Sequence, residues 1–213
     1  EQWRHTINQL PSELRSRLGE IAVLRGWPDL AADAANAASD WNRLDLRFPV
    51  THWDAFEKAG AKNEIDSYLL LALARRESGL YALAKSKVGA RGLMQVMPST
   101  ARSVLRGMGE RYGGAATLYQ PETNIPVGST YFATLMARFN GNHVKSLAAY
   151  NAGPSRVSRW TNDDMAFDQW IDSIPFEETR EYVQAVLAYR VIYRLRAGES
   201  ASVVTADERQ TLY

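Results

Sequence analysis

The chain has 213 residues, of which 46% are hydrophobic and 23% are charged, the composition of a folded globular protein. Its formal net charge of +1 gives no electrostatic reason to expect nucleic acid as a partner. The chain has no cysteine, which excludes disulfides, thiolate catalysis and cysteine-ligated metals. No apolar run approaches the roughly 18 residues that a transmembrane helix needs, so no transmembrane segment is predicted.

The first 45 residues are predicted to form a helical hairpin. Residues 11–25 carry Leu14, Leu18 and Ile21 at helical spacing, and residues 29–41 are rich in alanine. Two helices alone cannot bury both of their faces. We therefore expect this pair to belong to a larger helical array or to pack on the domain that follows.

The rest of the chain predicts further helices. A boundary at Phe48-Pro49 separates a helical segment at residues 1–49 from a second domain at residues 50–213. Gly60 is expected to end one helix and Asn63 to cap the next. Helices are expected at residues 50–60, 63–77, 99–108, 127–139, 144–150, 155–160 and 177–196. Because alternating apolar and polar residues are scarce, the predicted fold class is all-α, with at most one tiny β element.

Glu77 is the leading candidate for a catalytic residue. It follows the apolar run YLLLALA at residues 68–74 and precedes the turn signal Ser78-Gly79. A helix C-terminus raises the pKa of a carboxyl by less than about one unit, whereas desolvation can add several units. Burial would therefore decide whether Glu77 is a general acid with a high pKa or an exposed glutamate paired with Arg75 or Arg76.

Glu178 is a complementary candidate in the first turn of the last predicted helix, where the helix dipole favours the ionised carboxylate. Two glutamates at opposite helix poles would have their pKa values pushed apart, which separates an acid from an electrostatic or hydrogen-bonding partner. Ordinary helix capping explains Glu178 equally well, and Glu177 and Glu181 compete for any role. The three histidines are scattered singly along the chain, so neither a metal site nor a cofactor is predicted.

Four separated segments match one family in order: ESGL at Glu77, GARGLMQVMP at Gly89, AAYNAG at Ala148 and IPFEETREYV at Ile174. Together they resemble the catalytic domain of the soluble lytic transglycosylases, whose fold is similar to goose-type lysozyme. The resemblance covers about residues 60–197. Each motif alone is moderately specific, and all four in this order are a strong signal. The preceding helices resemble the end of the α-superhelical part of the large periplasmic members, which implies that the chain is a fragment of such a protein.

The resemblance also implies a site and a reaction. Glu77 matches the acid/base glutamate of the family. The substrate-groove positions match Ser86, Gln95, Met97, Tyr150, Asn151 and Glu178. In this family the glutamate protonates the β-1,4 bond between MurNAc and GlcNAc, the substrate acetamide assists, and the ionised glutamate then deprotonates the C6 hydroxyl. The implied product is a 1,6-anhydromuramoyl end, formed without water or a cofactor. The implied partner is the peptidoglycan glycan strand, met in the periplasm by a monomeric protein.

Two alternatives stay open. A hydrolytic lysozyme on the same fold differs in letting water reach the intermediate, and its product is one water heavier than the anhydro product. A non-catalytic peptidoglycan-binding module would keep the groove without turnover, and the presence of Glu77 argues against it.

Overall fold

The computed structural model describes residues 2–160 and 165–210, and helices are the main regular structure within them. The helices are Gln2–Asn8 (α1), Ser12–Leu24 (α2), Pro28–Ala37 (α3), Leu44–Arg47 (α4), Trp53–Asn63 (α5), Ser67–Ser78 (α6), Pro98–Gly107 (α7), Pro121–Arg138 (α8), His143–Ala152 (α9), Pro154–Val157 (α10), Phe167–Ser173 (α11), Glu177–Arg196 (α12) and Ala206–Gln210 (α13), with a short 3-10 helix at Ala115–Tyr119. The β structure among these residues consists of isolated bridges that pair Arg91 with Lys85 and with Val96. The predicted all-α class is confirmed.

Helix α6 lies at the centre of the core. Residues 69–74 are fully buried, and α6 packs on α5 and on α12. Asp66 caps α6, because its side chain accepts a hydrogen bond from the Tyr68 N–H. The same carboxylate pairs with Arg190, at 2.6 Å, and with Arg194, at 3.1 Å, both on α12. These ion pairs fix one end of the α6–α12 pair, and the opposite end of that pair carries Glu77.

The apolar stripe predicted for the second helix faces solvent instead of a core. Leu14 is 46% exposed and Ile21 is 49% exposed, whereas Gly19 and Ala22 are buried against α3. The two helices pack closely through their small residues, because the buried face of α3 consists of alanines. A side chain at Gly19 would come within 3.4 Å of the Ala34 Cβ atom.

The junction between α5 and α6 differs from the prediction. Gly60 lies inside α5, because the start of α6 passes so close that an added Cβ atom would sit 2.3 Å from the Ser67 Oγ atom. Asn63 is the last residue of α5 and donates to the Ala59 carbonyl, so Asp66 rather than Asn63 caps α6.

The segment around Phe48 links the first helices to the core. Phe48 is buried among core residues, and its ring makes edge contacts with Tyr189 and Tyr193 on α12. The Tyr193 hydroxyl donates to the Pro49 carbonyl at 3.2 Å. The division at residue 49 stays a prediction. Within the described residues, no helix is long and apolar enough to cross a membrane.

Candidate active site

Glu77 lies in the last turn of α6, half-buried in a cleft of the domain. Burial raises the pKa of its carboxyl from the ordinary 4.5 to about 7, opposed by the Tyr182 hydrogen bond and the charge of Arg76, while the charge of Glu178 adds to the rise. Burial is therefore the largest cause of the raised pKa. A carboxyl group with a pKa near neutrality can give up a proton and take one back.

Tyr182 is the site residue that sequence reasoning missed. Its hydroxyl donates to the Glu77 Oε1 atom at 2.6 Å, across 105 residues of sequence. The Tyr182 side chain is 3% exposed, and the Arg76 guanidinium lies 5.7 Å from its ring centre. Tyr182 follows Glu178 by one helical turn and so shares its face of α12, which is the signal that could have identified it.

A cavity of about 550 Å³ opens beside Glu77. Ser86 and Gln95, two of the predicted substrate-binding residues, line it from the loop between α6 and α7. Asp29 and Asp33, one turn apart on α3, also line it. The first helices therefore form one wall of the cavity that holds Glu77.

The loop that carries Gln95 is fixed by a buried amide. The Asn124 side chain is 1% exposed; it accepts from the Met94 N–H and donates to the Arg91 and Leu118 carbonyls, each at 2.8 Å. Gln95 itself has a left-handed backbone with φ 45°. Its side chain donates to the Gly92 carbonyl at 2.9 Å, which leaves the amide oxygen as an acceptor.

Tyr150 supports the same loop from α9. Its hydroxyl donates to the Met94 carbonyl at 2.8 Å, and its ring packs 5.4 Å from that of Tyr131. Burial, together with the nearby charge of Glu77, raises the pKa of Tyr150 well above its ordinary value, so the phenol stays neutral. Tyr150 thus lies near Glu77, but its hydroxyl donates its hydrogen bond to the Met94 carbonyl of the loop.

Asn151 and Glu178 lie in a second cavity, of about 390 Å³. The Asn151 side chain accepts from the Thr179 hydroxyl at 2.6 Å and approaches the Glu178 Oε1 atom at 3.4 Å. Phe176, which is 46% exposed, also lines this cavity. Five of the predicted site residues are therefore divided between two cavities, while Tyr150 and Met97 line neither. Tyr182 reaches Glu77 from the helix that carries Glu178.

Met97 lies outside both of these cavities. It precedes the first turn of α7 and is 36% exposed. In the described parts of the chain, no three histidine or acidic side chains are grouped so that they could hold a metal ion.

Two protein-family models match this chain. The family model for the transglycosylase SLT domain matches residues 54–173, and the model for the soluble lytic transglycosylase helical domain matches residues 173–201. The second match falls on α12 and its flanks instead of on the first helices.

Curated relatives are similar along nearly the whole chain. The soluble lytic murein transglycosylase of Escherichia coli K12 is 36% identical over 97% of this chain and 33% of its own length. The protein of that name from Salmonella typhimurium LT2 is 36% identical over 100% of this chain and 34% of its own length. The chain thus spans about a third of the length of these relatives.

Solved structures share the fold. An inactive mutant of the lytic transglycosylase Slt from Pseudomonas aeruginosa superposes with a TM-score of 0.93 and 36% identity, covering 99% of this chain and 34% of that one. The 70-kDa soluble lytic transglycosylase of Escherichia coli superposes with a TM-score of 0.90 and 35% identity, covering 99% and 35%. With more than half of its residues matched by the family model, the chain belongs to the transglycosylase SLT domain family.

Proposed function

We propose that this chain is the catalytic part of a lytic transglycosylase, which cleaves the β-1,4 bond between MurNAc and GlcNAc in peptidoglycan and leaves a 1,6-anhydromuramoyl end. The observation that carries the proposal is Glu77, half-buried and hydrogen-bonded to Tyr182, with a pKa of about 7. The membership of the SLT family and the names of the curated relatives support the same substrate.

In this mechanism Glu77 acts twice. The protonated carboxyl donates its proton to the glycosidic oxygen as the bond breaks and positive charge develops on the sugar ring. The substrate acetamide stabilises that charge, and the ionised Glu77 then removes the proton from the C6 hydroxyl, whose oxygen closes the anhydro ring. The pKa near 7 suits both steps, because the carboxyl can be protonated for the first transfer and ionised for the second near neutral pH. The inactivity of a glutamate-to-glutamine mutant of the Pseudomonas protein supports a glutamate at the centre of the reaction.

Tyr182 has a defined role in this proposal. Its hydroxyl stabilises the ionised form of Glu77 and holds the carboxylate in one orientation between the two proton transfers. Without this hydrogen bond the carboxyl would hold its proton more tightly and would donate it less readily to the glycosidic oxygen in the first step.

The groove residues act on either side of Glu77. We propose that Ser86 and Gln95 bind the sugar on one side of the broken bond, while Asn151 and Glu178 bind the sugar on the other side. Tyr150 and Met97 complete the substrate groove, and Tyr150 contributes mainly by holding the loop of Gln95 in place. The amide and carboxylate oxygens in these cavities complement sugar hydroxyls and acetamide N–H groups.

A transglycosylase of this kind works where peptidoglycan lies, so we propose a periplasmic location and a monomeric protein that binds glycan strands. Two variants test the reaction. Glu77→Gln should retain binding to purified sacculi and lose turnover, because the amide fills the site without an acidic proton. Glu178→Ala should slow the reaction while the product remains the anhydro form. Full activity of the Glu77→Gln chain would overturn the proposal.

A further inference from the structure

Thr179 is a buried residue beside the cavity of Asn151 and Glu178. It lies in the first turn of α12, directly after Glu178, and it is 2% exposed. Its hydroxyl donates to the Asn151 Oδ1 atom at 2.6 Å, so it joins the start of α12 to the last turn of α9. A buried hydroxyl costs free energy unless it is hydrogen-bonded, which makes this contact a firm one.

The two partners of the Asn151 side chain together fix its orientation. An asparagine amide has an acceptor end and a donor end of nearly the same shape, and a threonine hydroxyl can pair with either. The Glu178 carboxylate can only accept, so it takes the NH2 end, at 3.4 Å. The Oδ1 atom is then turned to Thr179, whose hydroxyl becomes the donor.

These two hydrogen bonds differ in strength and in position. The bond to Thr179 is short and lies on the buried side, whereas the contact with Glu178 is at the limit of a hydrogen bond and lies on the exposed side. A ligand in the cavity could therefore displace or share the contact with Glu178 at little cost. The bond to Thr179 would persist, and it would still hold the amide in place.

We infer that Thr179 is a positioning residue, which holds the Asn151 amide in the orientation that binds the substrate sugar. The inference rests on the proposed function, because Asn151 binds a sugar only under that proposal. Loss of the Thr179 hydroxyl would leave the amide with its long contact to Glu178, and other rotamers would become populated. Apparent affinity falls in proportion to the population of the binding-competent conformer, so substrate would bind less well.

Three variants of the 213-residue chain test this role on purified glycan strands. Thr179→Val removes the hydroxyl and keeps the branched shape of the side chain, whereas Thr179→Ser keeps the hydroxyl and removes a methyl group. Thr130→Val is the matched control, because the Thr130 hydroxyl on α8 also donates to an asparagine oxygen, that of Asn63, at 3.4 Å. Thr130 and Asn63 line neither of the two cavities that hold the site residues.

We expect kcat/KM of Thr179→Val to fall about tenfold, the effect of losing about one net hydrogen bond. Thr179→Ser should lose stability, because it removes a buried methyl group, and should keep kcat/KM close to that of the wild type. Thr130→Val should match the wild type. An equal loss of kcat/KM in Thr179→Val and Thr179→Ser would mean that Thr179 only fills space, and it would overturn the inference. If the valine variant does not fold, Thr179→Ala also lacks the hydroxyl and should show the same loss.

A double-mutant cycle tests whether Thr179 acts through Asn151. In the Asn151→Ala background the amide is absent, so adding Thr179→Val should cause no further loss of kcat/KM. A further tenfold loss in that background would show that Thr179 acts by another route, against the inference.

Failure of this inference can be told apart from failure of the proposed function. If the wild type releases anhydro products and Thr179→Val does so at the wild-type rate, the positioning role is refuted and the proposed function stands. If the wild type releases no anhydro products, the proposed function fails and the positioning role falls with it.

Discussion

Replacing Tyr182 by phenylalanine tests how the site sets the acidity of Glu77. The Tyr182 hydroxyl donates to the Glu77 carboxyl at 2.6 Å and lowers its pKa against the larger effect of burial. Tyr182→Phe removes that donor and leaves the buried ring in place. The pKa of Glu77 should therefore rise above its value of about 7.

The size of the rise follows from the hydrogen bond. A hydrogen bond to a charged group contributes about 1.5–3 kcal/mol, and one pKa unit corresponds to about 1.4 kcal/mol. Because the protonated carboxyl keeps part of the interaction, we expect a rise of roughly one unit. The first step needs protonated Glu77, so activity is high below its pKa and falls as the pH rises through it. In Tyr182→Phe this fall should move upward by roughly one pH unit.

The assay is kcat/KM on soluble glycan strands between pH 5 and pH 9. Tyr193→Phe is the matched control, because Tyr193 is a buried phenol on the same helix whose hydroxyl donates to the Pro49 carbonyl, away from Glu77. The control should lose some stability and keep the wild-type pH profile. An unmoved or downward-shifted fall of activity in Tyr182→Phe, or an equal shift in Tyr193→Phe, would refute the reasoning.

Three further predictions concern stability. The raised pKa of Glu77 means that the folded state binds its proton more tightly than the unfolded state, so stability falls as pH rises from 4.5 to about 7. Glu77→Gln should remove this loss. In urea unfolding, the free energy of unfolding of Glu77→Gln should exceed that of the wild type by up to about 3 kcal/mol above pH 7 and should equal it below pH 4.5. An equal gain at both pH values would contradict the linkage between Glu77 protonation and stability. Asn124→Ala should lower the free energy of unfolding by about 3 kcal/mol because it leaves the Met94 N–H and two carbonyls without their partner, and a loss below about 1 kcal/mol would mean that water replaces the amide. Gly92→Ala should lower the melting temperature more than Gly89→Ala does. Both glycines have a positive φ, but only at Gly92 would the new Cβ atom meet a backbone oxygen, at 2.1 Å. Equal decreases in melting temperature would show that the loop moves aside.

The long helix α12 shows what periodic sequence can predict. Apolar residues at four-residue steps and a closing Gly198 predict a helix at residues 177–196, and α12 spans those residues. The start of α8 was harder to predict. The sequence prediction placed this helix at residues 127–139, yet the helix begins at Pro121 and carries Pro126 inside it. A proline in the first turns removes few helical hydrogen bonds, so tertiary packing can tolerate it there.

The site was predicted unevenly, for a physical reason. Local sequence gave the position of Glu77 at a helix end and identified burial as the factor that decides its pKa. The partner that tunes this carboxyl, Tyr182, lies 105 residues away, and only the packing of α6 on α12 brings the two together. The wall formed by Asp29 and Asp33 was missed for the same reason, because nothing in the local pattern of α3 indicates what it faces.

The mass of the product tests the central claim most directly. Purified sacculi are digested with the wild-type chain and with Glu77→Gln, and the released muropeptides are weighed by mass spectrometry. We predict anhydromuramoyl products, each one water lighter than its hydrolysed counterpart, from the wild type and none from Glu77→Gln. Products with only reducing ends, or anhydro products from the Glu77→Gln chain, would contradict a lytic transglycosylase that works through Glu77.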